Sequence, residues 1–450
     1  MAPSTTPRTG RQPAEGGRFE PDPPGSGSGT RALLRIATAG SVDDGKSTLV
    51  GRLLHDLDAV LPDQLAAVER ASHDRGLAAA DLALLTDGLR AEREQGITID
   101  VAYRYFATPT RRYILADTPG HVQYTRNMVT GASTARLAAL LIDARHGVVE
   151  QTRRHLAIAA LLRVPYTVFL VNKMDLVGFD EEIFAYVASR LSAHATRLGI
   201  ESLTVIPISA LRGDNVVERS TAMDWYQGPT LLDHLEAVPV ADDPAAEPVR
   251  FPVQYVIRSA EHNYRGYAGQ LVSGVLRPGD KVALLPSDQR STISAIDVNG
   301  EPVEEAFAPQ SVAVRLTDDI DVARGDLMAA TVSAPAATRD VTAMVCHLSD
   351  RPLCVGDRVL LRHTTRTVKA VVTELSYRLD ITTLERSPYP DRLRVNDIAR
   401  VMLRTAAPIV ADDYAVNRYC GAFLLIDEAH GDTLTAGMIG RTSLEDADGS

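Results

Sequence analysis

A glycine-rich loop at residues 40–47 constrains the fold of this chain more than any other feature of its sequence. It reads Gly-Ser-Val-Asp-Asp-Gly-Lys-Ser and fits the pattern GxxxxGKS/T in full. The loop follows the apolar run Leu33–Ala37 and leads into a helical pattern at Leu49–Leu54. A strand, a glycine loop and a helix in this order are the context that a phosphate-binding loop requires.

The chemistry of such a loop comes from its backbone and from two side chains. The glycines let N–H groups turn inward around phosphates, and the positive N-terminus of the following helix faces the same anion. We expect Lys46 to reach the β- and γ-phosphates of a nucleoside triphosphate and Ser47 to ligate Mg²⁺. The predicted nucleotide-binding residues of the loop are Gly40, Ser41, Val42, Asp43, Asp44, Gly45, Lys46, Ser47 and Thr48.

A second motif, Asp117-Thr118-Pro119-Gly120, follows the apolar run Tyr113–Ala116. An aspartate at the end of a strand holds Mg²⁺, directly or through water, in phosphate-loop enzymes. Gly120 has no side chain, so its N–H can approach the γ-phosphate closely. The tetrapeptide alone is common by chance, but its position after a phosphate loop predicts Asp117 as a magnesium ligand and Gly120 as a γ-phosphate sensor.

Two further residues are candidates for the catalytic step. A single histidine is more often structural than catalytic, but His121 stands next to Gly120, where a side chain must orient the attacking water. Thr98 lies in the string Gly-Ile-Thr-Ile between the two motifs, and its hydroxyl is a candidate ligand to Mg²⁺. The alternative interpretation of Thr98 is an ordinary residue of an apolar strand, and the residues alone leave both open.

A guanine-specific motif follows further along the chain. Asn172-Lys173-Met174-Asp175 closes the apolar run Tyr166–Val171. The Asp175 carboxylate can accept two hydrogen bonds from the guanine N1–H and N2–H₂ edge, which adenine lacks. An adenine nucleotide would therefore leave the carboxylate unpaired, and a polar site left unpaired in this way favours the correct ligand by roughly 10⁴. We expect Asn172 to tie the base site to the phosphate loop and Lys173 to cover the base plane. The run Leu203–Ile208 precedes the last predicted base-binding residues, Ser209, Ala210 and Leu211.

The pattern of elements predicts an α/β G domain with a parallel sheet and helices on both faces, followed by two β-barrel domains. Short apolar runs alternate with helical patterns as far as about Val238, whereas short β-branched runs between turn signals follow Val249. We predict a disordered tail at 1–30, the G domain at 31–238, and barrels at 249–336 and 337–441.

Composition excludes several classes of partner. The formal net charge of −11 argues against general affinity for nucleic acid or for an anionic membrane. No run of about 18 apolar residues predicts a membrane span. The three cysteines have no CxxC spacing, so we expect no zinc site, and their number is typical of reduced thiols in a cytoplasmic protein.

The ordered motifs resemble those of the translational GTPases, which carry a G domain and two β-barrels. Within that superfamily the chain is most similar to the GTPase subunit of heterodimeric sulfate adenylyltransferase. The Val-Asp-Asp filling of the phosphate loop is the most telling likeness, because elongation factors generally have His-Val-Asp there. Further matching strings are Asp81–Leu85, Asp87–Leu89, Glu94–Phe106, Gln123–Met128, Phe251–Val256 and Arg265–Gly269.

This resemblance implies a GTPase that uses GTP and Mg²⁺. Its hydrolysis of GTP would drive the formation of adenosine 5′-phosphosulfate and pyrophosphate from ATP and sulfate on a small catalytic subunit. Val122 stands where many relatives have a glutamate, and we expect this difference to modulate the activity at most. No second GxxxxGKS/T pattern occurs, so we expect no adenylylsulfate kinase activity in this chain.

Two alternative functions remain open at this point. An elongation-factor-like carrier of aminoacyl-tRNA would share the architecture, although the acidic balance argues against it. A GTP-binding regulatory scaffold with little turnover is the other, although His121 argues against it.

Overall fold

The computed structural model describes residues 32–74, 80–85, 101–121, 125–200, 202–239, 244–259 and 264–440. The predicted tail at 1–30, the predicted switch residue Thr98 and Val122 lie outside these residues. Within the described ranges, no helix is both long and apolar enough to cross a membrane.

The first part of the chain forms a six-stranded sheet in the order β2-β3-β1-β4-β5-β6. All neighbours pair in parallel except β2, which is antiparallel to β3. Every residue of β4 is buried, as expected of a central parallel strand that is covered on both faces. The strands are β1 Ala32–Ala39, β2 Ala102–Ala107, β3 Arg111–Asp117, β4 Leu137–Asp143, β5 Tyr166–Asn172 and β6 Leu203–Pro207.

Helices cover both faces of this sheet. On one face, α1 and α6 pack through leucines and valines on the side of the sheet that carries Leu34 and Ile36. On the other face, α3, α4 and α5 pack against Ala37 and Leu140. The helices are α1 Lys46–Asp56, α2 Pro62–Asp74, α3 Thr125–Ser133, α4 Glu150–Leu161, α5 Glu181–Arg197 and α6 Leu231–Ala237.

Strand β2 differs from the sequence prediction, which did not include it. Only three residues separate β2 from β3. A connection this short can join antiparallel strands but not parallel ones. The turn is held by the Thr108 N–H, which donates to the Arg111 carbonyl at 2.8 Å. The Thr108 hydroxyl also donates to Glu236 of α6 at 2.6 Å. The G-domain sheet is therefore mixed at one edge.

Within its described residues, the second part of the chain is built of ten strands, most of them short. Its main sheet has the order β7-β16-β11-β12-β15-β9-β8, with β13 paired to β12. A bridge between Arg250 and Ser273 brings the first strand back to the chain that follows β9. The strands are β7 Arg250–Pro252, β8 Tyr255–Ser259, β9 Tyr264–Gln270, β10 Val275–Leu276, β11 Lys281–Leu285, β12 Gln289–Val298, β13 Glu301–Val303, β14 Ala306–Phe307, β15 Ser311–Leu316 and β16 Leu327–Ala330.

The third part is a closed β-barrel. Six strands form a ring in the order β19-β24-β25-β17-β23-β20, because β20 also pairs with β19. Apolar side chains from all six strands fill its interior. The strands of this part are β17 Ala337–His347, β18 Leu353–Cys354, β19 Arg358–His363, β20 Arg366–Leu379, β21 Arg386–Pro388, β22 Arg392–Leu393, β23 Ile398–Val410, β24 Ala422–Ile426 and β25 Thr433–Ile439.

The barrel formed by the third part of the chain is called the third barrel, after the part that forms it. It packs directly on the G domain. Its residues Met344, Cys346 and Met438 belong to the same buried cluster as the α3 and α4 side chains. The Tyr414 hydroxyl donates to the Leu162 carbonyl across this seam at 3.1 Å. The predicted fold class, a G domain followed by β-barrels, is confirmed.

Candidate functional site

A cleft of about 420 Å³ lies at the carboxyl ends of the parallel strands. This is where ligands bind in open α/β sheets. The phosphate loop, the chain after β3 and the chain after β5 all contribute to it. The lining residues are Val42, Asp43, Gly45, Lys46, Ser47, Thr48, Ala83, Gly120, His121 and Lys173.

Lys46 is the buried cation of this cleft. It is 7% exposed, and its ammonium donates to the carbonyl oxygens of Gly40 at 2.9 Å and Ser41 at 2.7 Å. Burial lowers the pKa of Lys46, and the nearby carboxylates of Asp117 and Asp44 oppose that shift. The lysine is thus fixed by carbonyl oxygens of its own loop and lines the cleft where we predict the phosphates.

Asp44 braces the phosphate loop from within. Its Oδ2 accepts the Ser41 N–H at 2.5 Å, and its side chain is buried. Burial raises the pKa of Asp44, while the Lys46 ammonium acts in the opposite direction. This position carries the second aspartate of the Val-Asp-Asp string, so the resemblance noted in the sequence corresponds to a specific contact in the loop.

The chain after β3 lies against the phosphate loop. The Thr38 hydroxyl donates to Asp117 Oδ1 at 2.8 Å, which fixes the buried carboxylate at the strand end. A Cβ on Gly120 would lie 2.4 Å from Lys46 Nζ and 2.6 Å from the Gly40 oxygen. Only glycine permits this approach, which is the physical reason for its place in the motif.

The oxygen donors at this end of the cleft suit Mg²⁺. Mg²⁺ prefers hard oxygen ligands and is usually held by one or two carboxylates together with the phosphates of the substrate. The Ser47 side chain lines the cleft, and the Asp117 carboxylate lies within range of the Lys46 charge. Among the described residues, no three His, Cys, Asp or Glu side chains cluster in the way a protein-only metal site would require.

His121 lies at the mouth of the cleft and is exposed to solvent. It is therefore accessible to water. The other residue predicted for this step, Thr98, is outside the described residues. Their catalytic roles remain predictions.

Asn172 connects the phosphate loop to the chain after β6. Its Nδ2 donates to the Asp44 carbonyl at 2.7 Å, and its Oδ1 accepts the Ala210 N–H at 2.9 Å. A Cβ on Gly45 would lie 2.4 Å from Asn172 Nδ2, so the glycine also makes room for this side chain. A single buried amide thus fixes two loops relative to each other.

The predicted base-binding carboxylate is held by the same loop. Ser209 Oγ donates to Asp175 Oδ1 at 2.7 Å, and Asp175 is half-buried. The Leu211 side chain is 64% exposed, so its contribution to a base site would come from its backbone. The structure therefore brings together Asn172, Asp175, Ser209 and Ala210, as the motif order predicted.

Asp143 and Arg145 form part of this site but were not predicted from the sequence. Asp143 ends β4, is 3% exposed, and its Oδ2 lies 3.0 Å from Lys173 Nζ. Arg145 pairs with the same carboxylate at 2.6 Å. Burial alone would raise the pKa of Asp143, but the hydrogen bonds from Arg145 and Lys173 prevail and hold it well below its usual range. The clue available in the sequence was an aspartate directly after the apolar run Ala138–Ile142.

Arg52 is a second residue that sequence motifs did not identify. It lies on α1, directly after the phosphate loop, and its Nη2 donates to the Leu211 carbonyl at 2.5 Å. Its Nε donates to the Ala210 carbonyl at 3.3 Å, and Nη1 pairs with Asp56 at 3.2 Å. The helix that begins at the phosphates therefore also supports the loop near the base.

Comparison with known proteins agrees with this arrangement. The model of the elongation factor Tu GTP binding domain matches residues 31–240, and the GTP-eEF1A C-terminal domain-like model matches residues 340–440. Sulfate adenylyltransferase subunit 1 of Bacteroides fragilis is 47% identical, and the match covers 90% of this chain and 86% of that protein. This chain belongs to the sulfate adenylyltransferase subunit 1 family.

Other relatives are longer or more distant. The bifunctional enzyme CysN/CysC of Mycobacterium tuberculosis is 55% identical over 90% of this chain but 67% of its own length. A crystal structure of Sup35 complexed with GMPPNP is 25% identical, with a TM-score of 0.41, and covers 92% of this chain and 95% of its own. The chain is a GTP-binding enzyme of the sulfate adenylyltransferase subunit 1 family, and the resemblance predicted from its motifs is confirmed.

Proposed function

We propose that this chain hydrolyses GTP to drive the synthesis of adenosine 5′-phosphosulfate and pyrophosphate from ATP and sulfate on a partner small subunit, in sulfate assimilation. The observation that carries the proposal is the 47% identity to a protein named sulfate adenylyltransferase subunit 1, over 86% of its length. A name that includes "subunit 1" also supports a heteromeric complex. The G-domain cleft would supply the GTPase activity of that complex.

In this proposal the nucleotide enters with its phosphates at the glycine loop and its base at Asp175. Lys46 places a positive charge at the β- and γ-phosphates, and backbone N–H groups of the loop hold the remaining oxygens. Ser47, Asp117 and Thr98 would hold Mg²⁺, which neutralises phosphate charge when bound. Positioning and electrostatic stabilisation supply nearly all the catalysis in phosphoryl transfer, and this cleft is built for both.

His121 is proposed to orient the water that attacks the γ-phosphate. Its exposed side chain at the cleft mouth supports this role, since it follows Gly120, whose backbone lies against Lys46. Loss of the γ-phosphate would then change the contacts of the chain around Gly120. Because α3 starts at Thr125 and packs beside the third barrel, that change would be transmitted towards the barrel surface.

The test uses the purified chain alone and with the small subunit from the same genome, in the presence of ATP and sulfate. GTP hydrolysis and adenosine 5′-phosphosulfate are followed in parallel. The proposal requires that partner and substrates stimulate hydrolysis and that product accumulates with GTP. Hydrolysis that ignores both would leave a GTPase and remove the sulfate assignment.

An Asp175→Asn chain makes this experiment more specific. If the guanine assignment is right, this variant in the complex should support product formation with xanthosine triphosphate and lose it with GTP. Wild type should show the opposite preference. This reversal would prove that the nucleotide bound in this chain, rather than one bound on the partner, drives the reaction.

A further inference from the structure

A second cavity lies at the seam between the G domain and the third barrel. Its volume is about 650 Å³, which exceeds that of the nucleotide cleft, and it shares no lining residue with that cleft. Helix α3 supplies one wall through Arg126 and Val129, and β24 and β25 supply the other through Phe423 and Met438. Cavities of ~300–1,000 Å³ are the size in which small molecules bind.

The charge of this seam cavity is one-sided. Its lining includes Arg126, Arg362 and Arg418 and no aspartate or glutamate. Arg418 is committed to the fold, because its Nη2 donates to the Ser133 carbonyl at 2.9 Å and its Nη1 to the Ala135 carbonyl at 3.1 Å.

The guanidinium groups of Arg126 and Arg362 differ from that of Arg418. Both residues are exposed, and within the described residues neither side chain has a hydrogen bond or an ion pair. Two arginines from different domains therefore face one cavity with their donors available. The planar guanidinium can donate two parallel hydrogen bonds to a pair of phosphate or sulfate oxygens, and its weak hydration favours such pairing.

The floor of the cavity is apolar. Phe423 and Met438 line it and are 3% and 2% exposed, so both side chains are packed into the fold. Tyr419 and Leu424 lie at the rim and are 50% and 37% exposed. An apolar floor with a few convergent polar groups is the usual composition of a small-molecule site.

We propose that the seam cavity binds an organic anion of about nucleoside-monophosphate size, with a phosphate or sulfate group on an aromatic or apolar body. Arg126 and Arg362 pair with the anionic group, and the body packs on Phe423 and Met438. Since the two walls belong to different domains, the bound molecule stabilises their contact. Since α3 begins five residues after Gly120, the wall that it supplies is also close in sequence to the predicted γ-phosphate sensor.

The experiment uses the full chain saturated with GDP, so that the nucleotide cleft is filled. The fluorescent sulfonate 8-anilinonaphthalene-1-sulfonate serves as the first probe, and its stoichiometry and affinity are measured by titration. We expect one site per chain. Arg126→Ala and Arg362→Ala should each weaken binding at least tenfold, because each removes a donor to the sulfonate.

Arg290→Ala is the matched control, since Arg290 is an exposed arginine of β12 that does not line the cavity. It should bind the probe as wild type does. GDP stoichiometry and the thermal midpoint, measured for every variant, should be unchanged and would exclude unfolding as the cause of lost binding.

Competition defines the ligand class. AMP should displace the probe, whereas adenosine and inorganic phosphate, which each carry only half of the recognised chemistry, should compete at least tenfold less well. Equal competition by inorganic phosphate would mean a simple ion site and would overturn the proposal. So would binding that is unaffected in both arginine variants, or displacement by an acidic peptide but not by AMP.

Discussion

The Lys173 ammonium lies 3.0 Å from the Asp143 carboxylate and donates another hydrogen bond to the Asp43 carbonyl of the phosphate loop. One side chain of the guanine motif is therefore held by the end of β4 on one side and by the phosphate loop on the other. The Lys173 backbone adopts a left-handed conformation, with φ 64°, at this point. The residue predicted to cover the base is therefore positioned by contacts with residues far from it in sequence.

Asp143→Asn should accelerate nucleotide release. The change removes the charge that holds Lys173 and Arg145 while keeping the size of the side chain. We expect GDP to dissociate about tenfold faster, which corresponds to about 1.4 kcal/mol, as measured with a fluorescent GDP analogue. In a Lys173→Met background the same substitution should add little, because residues that act through one contact are not additive.

Asp427→Asn provides the matched control for Asp143→Asn. Asp427 is also a buried aspartate in a turn, where it accepts the Ala429 N–H at 2.7 Å and pairs with Arg351. It lies in the third barrel, away from the cleft. Both variants should lose stability, but only Asp143→Asn should change GDP dissociation. Equal effects of the two variants on release would reduce Asp143 to a structural role.

Asp175→Asn should exchange guanine preference for xanthine preference. An amide can donate to the xanthine O2, whereas it no longer accepts from the guanine N2–H₂ group. Affinity for GTP should fall by at least a hundredfold and affinity for xanthosine triphosphate should rise, as measured by competition binding. Retained preference for GTP would contradict the base-site assignment.

His121→Ala should separate binding from turnover. His121 lines the cleft, and its predicted role lies in the hydrolysis step rather than in nucleotide binding. GTP affinity should stay within about threefold, while single-turnover hydrolysis should fall by about 10² or more, the range of a positioned polar group in catalysis. Turnover within a few-fold of wild type would rule out the water-orienting role.

Acid should destabilise the fold through His155. This residue is 1% exposed in α4, and burial lowers its pKa to about 3, so it folds in its neutral form. An unfolded histidine takes up a proton below its usual pKa near 6.5, so this contribution is complete above that pH and declines as the pH falls towards 3.

Between pH 7.5 and 5.5 the free energy of unfolding should therefore drop by about 1 kcal/mol because of this group. His155→Gln should remove that part of the pH dependence when both proteins are unfolded in denaturant at the two pH values. Identical pH dependence of wild type and variant would show that His155 does not titrate as inferred.

Local patterns predicted most of the fold, because parallel strands and glycine loops leave signals in short stretches of sequence. The strand Tyr166–Val171 is present as β5, one residue longer. In contrast, β2 was not predicted from the sequence, because this strand contains no continuous apolar run. Its tyrosines Tyr103 and Tyr105 are exposed in the structure. Its identity as a strand depends on the turn to β3, which a scan for hydrophobic runs does not detect.

Prediction of the cleft from short sequence patterns is limited in the same way. The motif residues are brought together because each follows its own strand, and parallel strands end at one edge. Asp143 and Arg52 belong to no motif, and their importance comes from contacts with Lys173 and Leu211 that only the folded chain creates. The roles of the motif residues and the domain boundaries stay predictions until they are tested.

The closed ring of the third barrel has a consequence for assembly. A ring of six strands has no unpaired strand edge among its members, so another protein cannot extend it by adding a strand. Backbone pairing with a partner would instead use strands at open sheet edges, such as β2 and β6 of the G domain or β8 of the second part. Recognition of the barrel must rely on its side chains, where single substitutions change affinity and specificity without disturbing the hydrogen bonds that hold the barrel together.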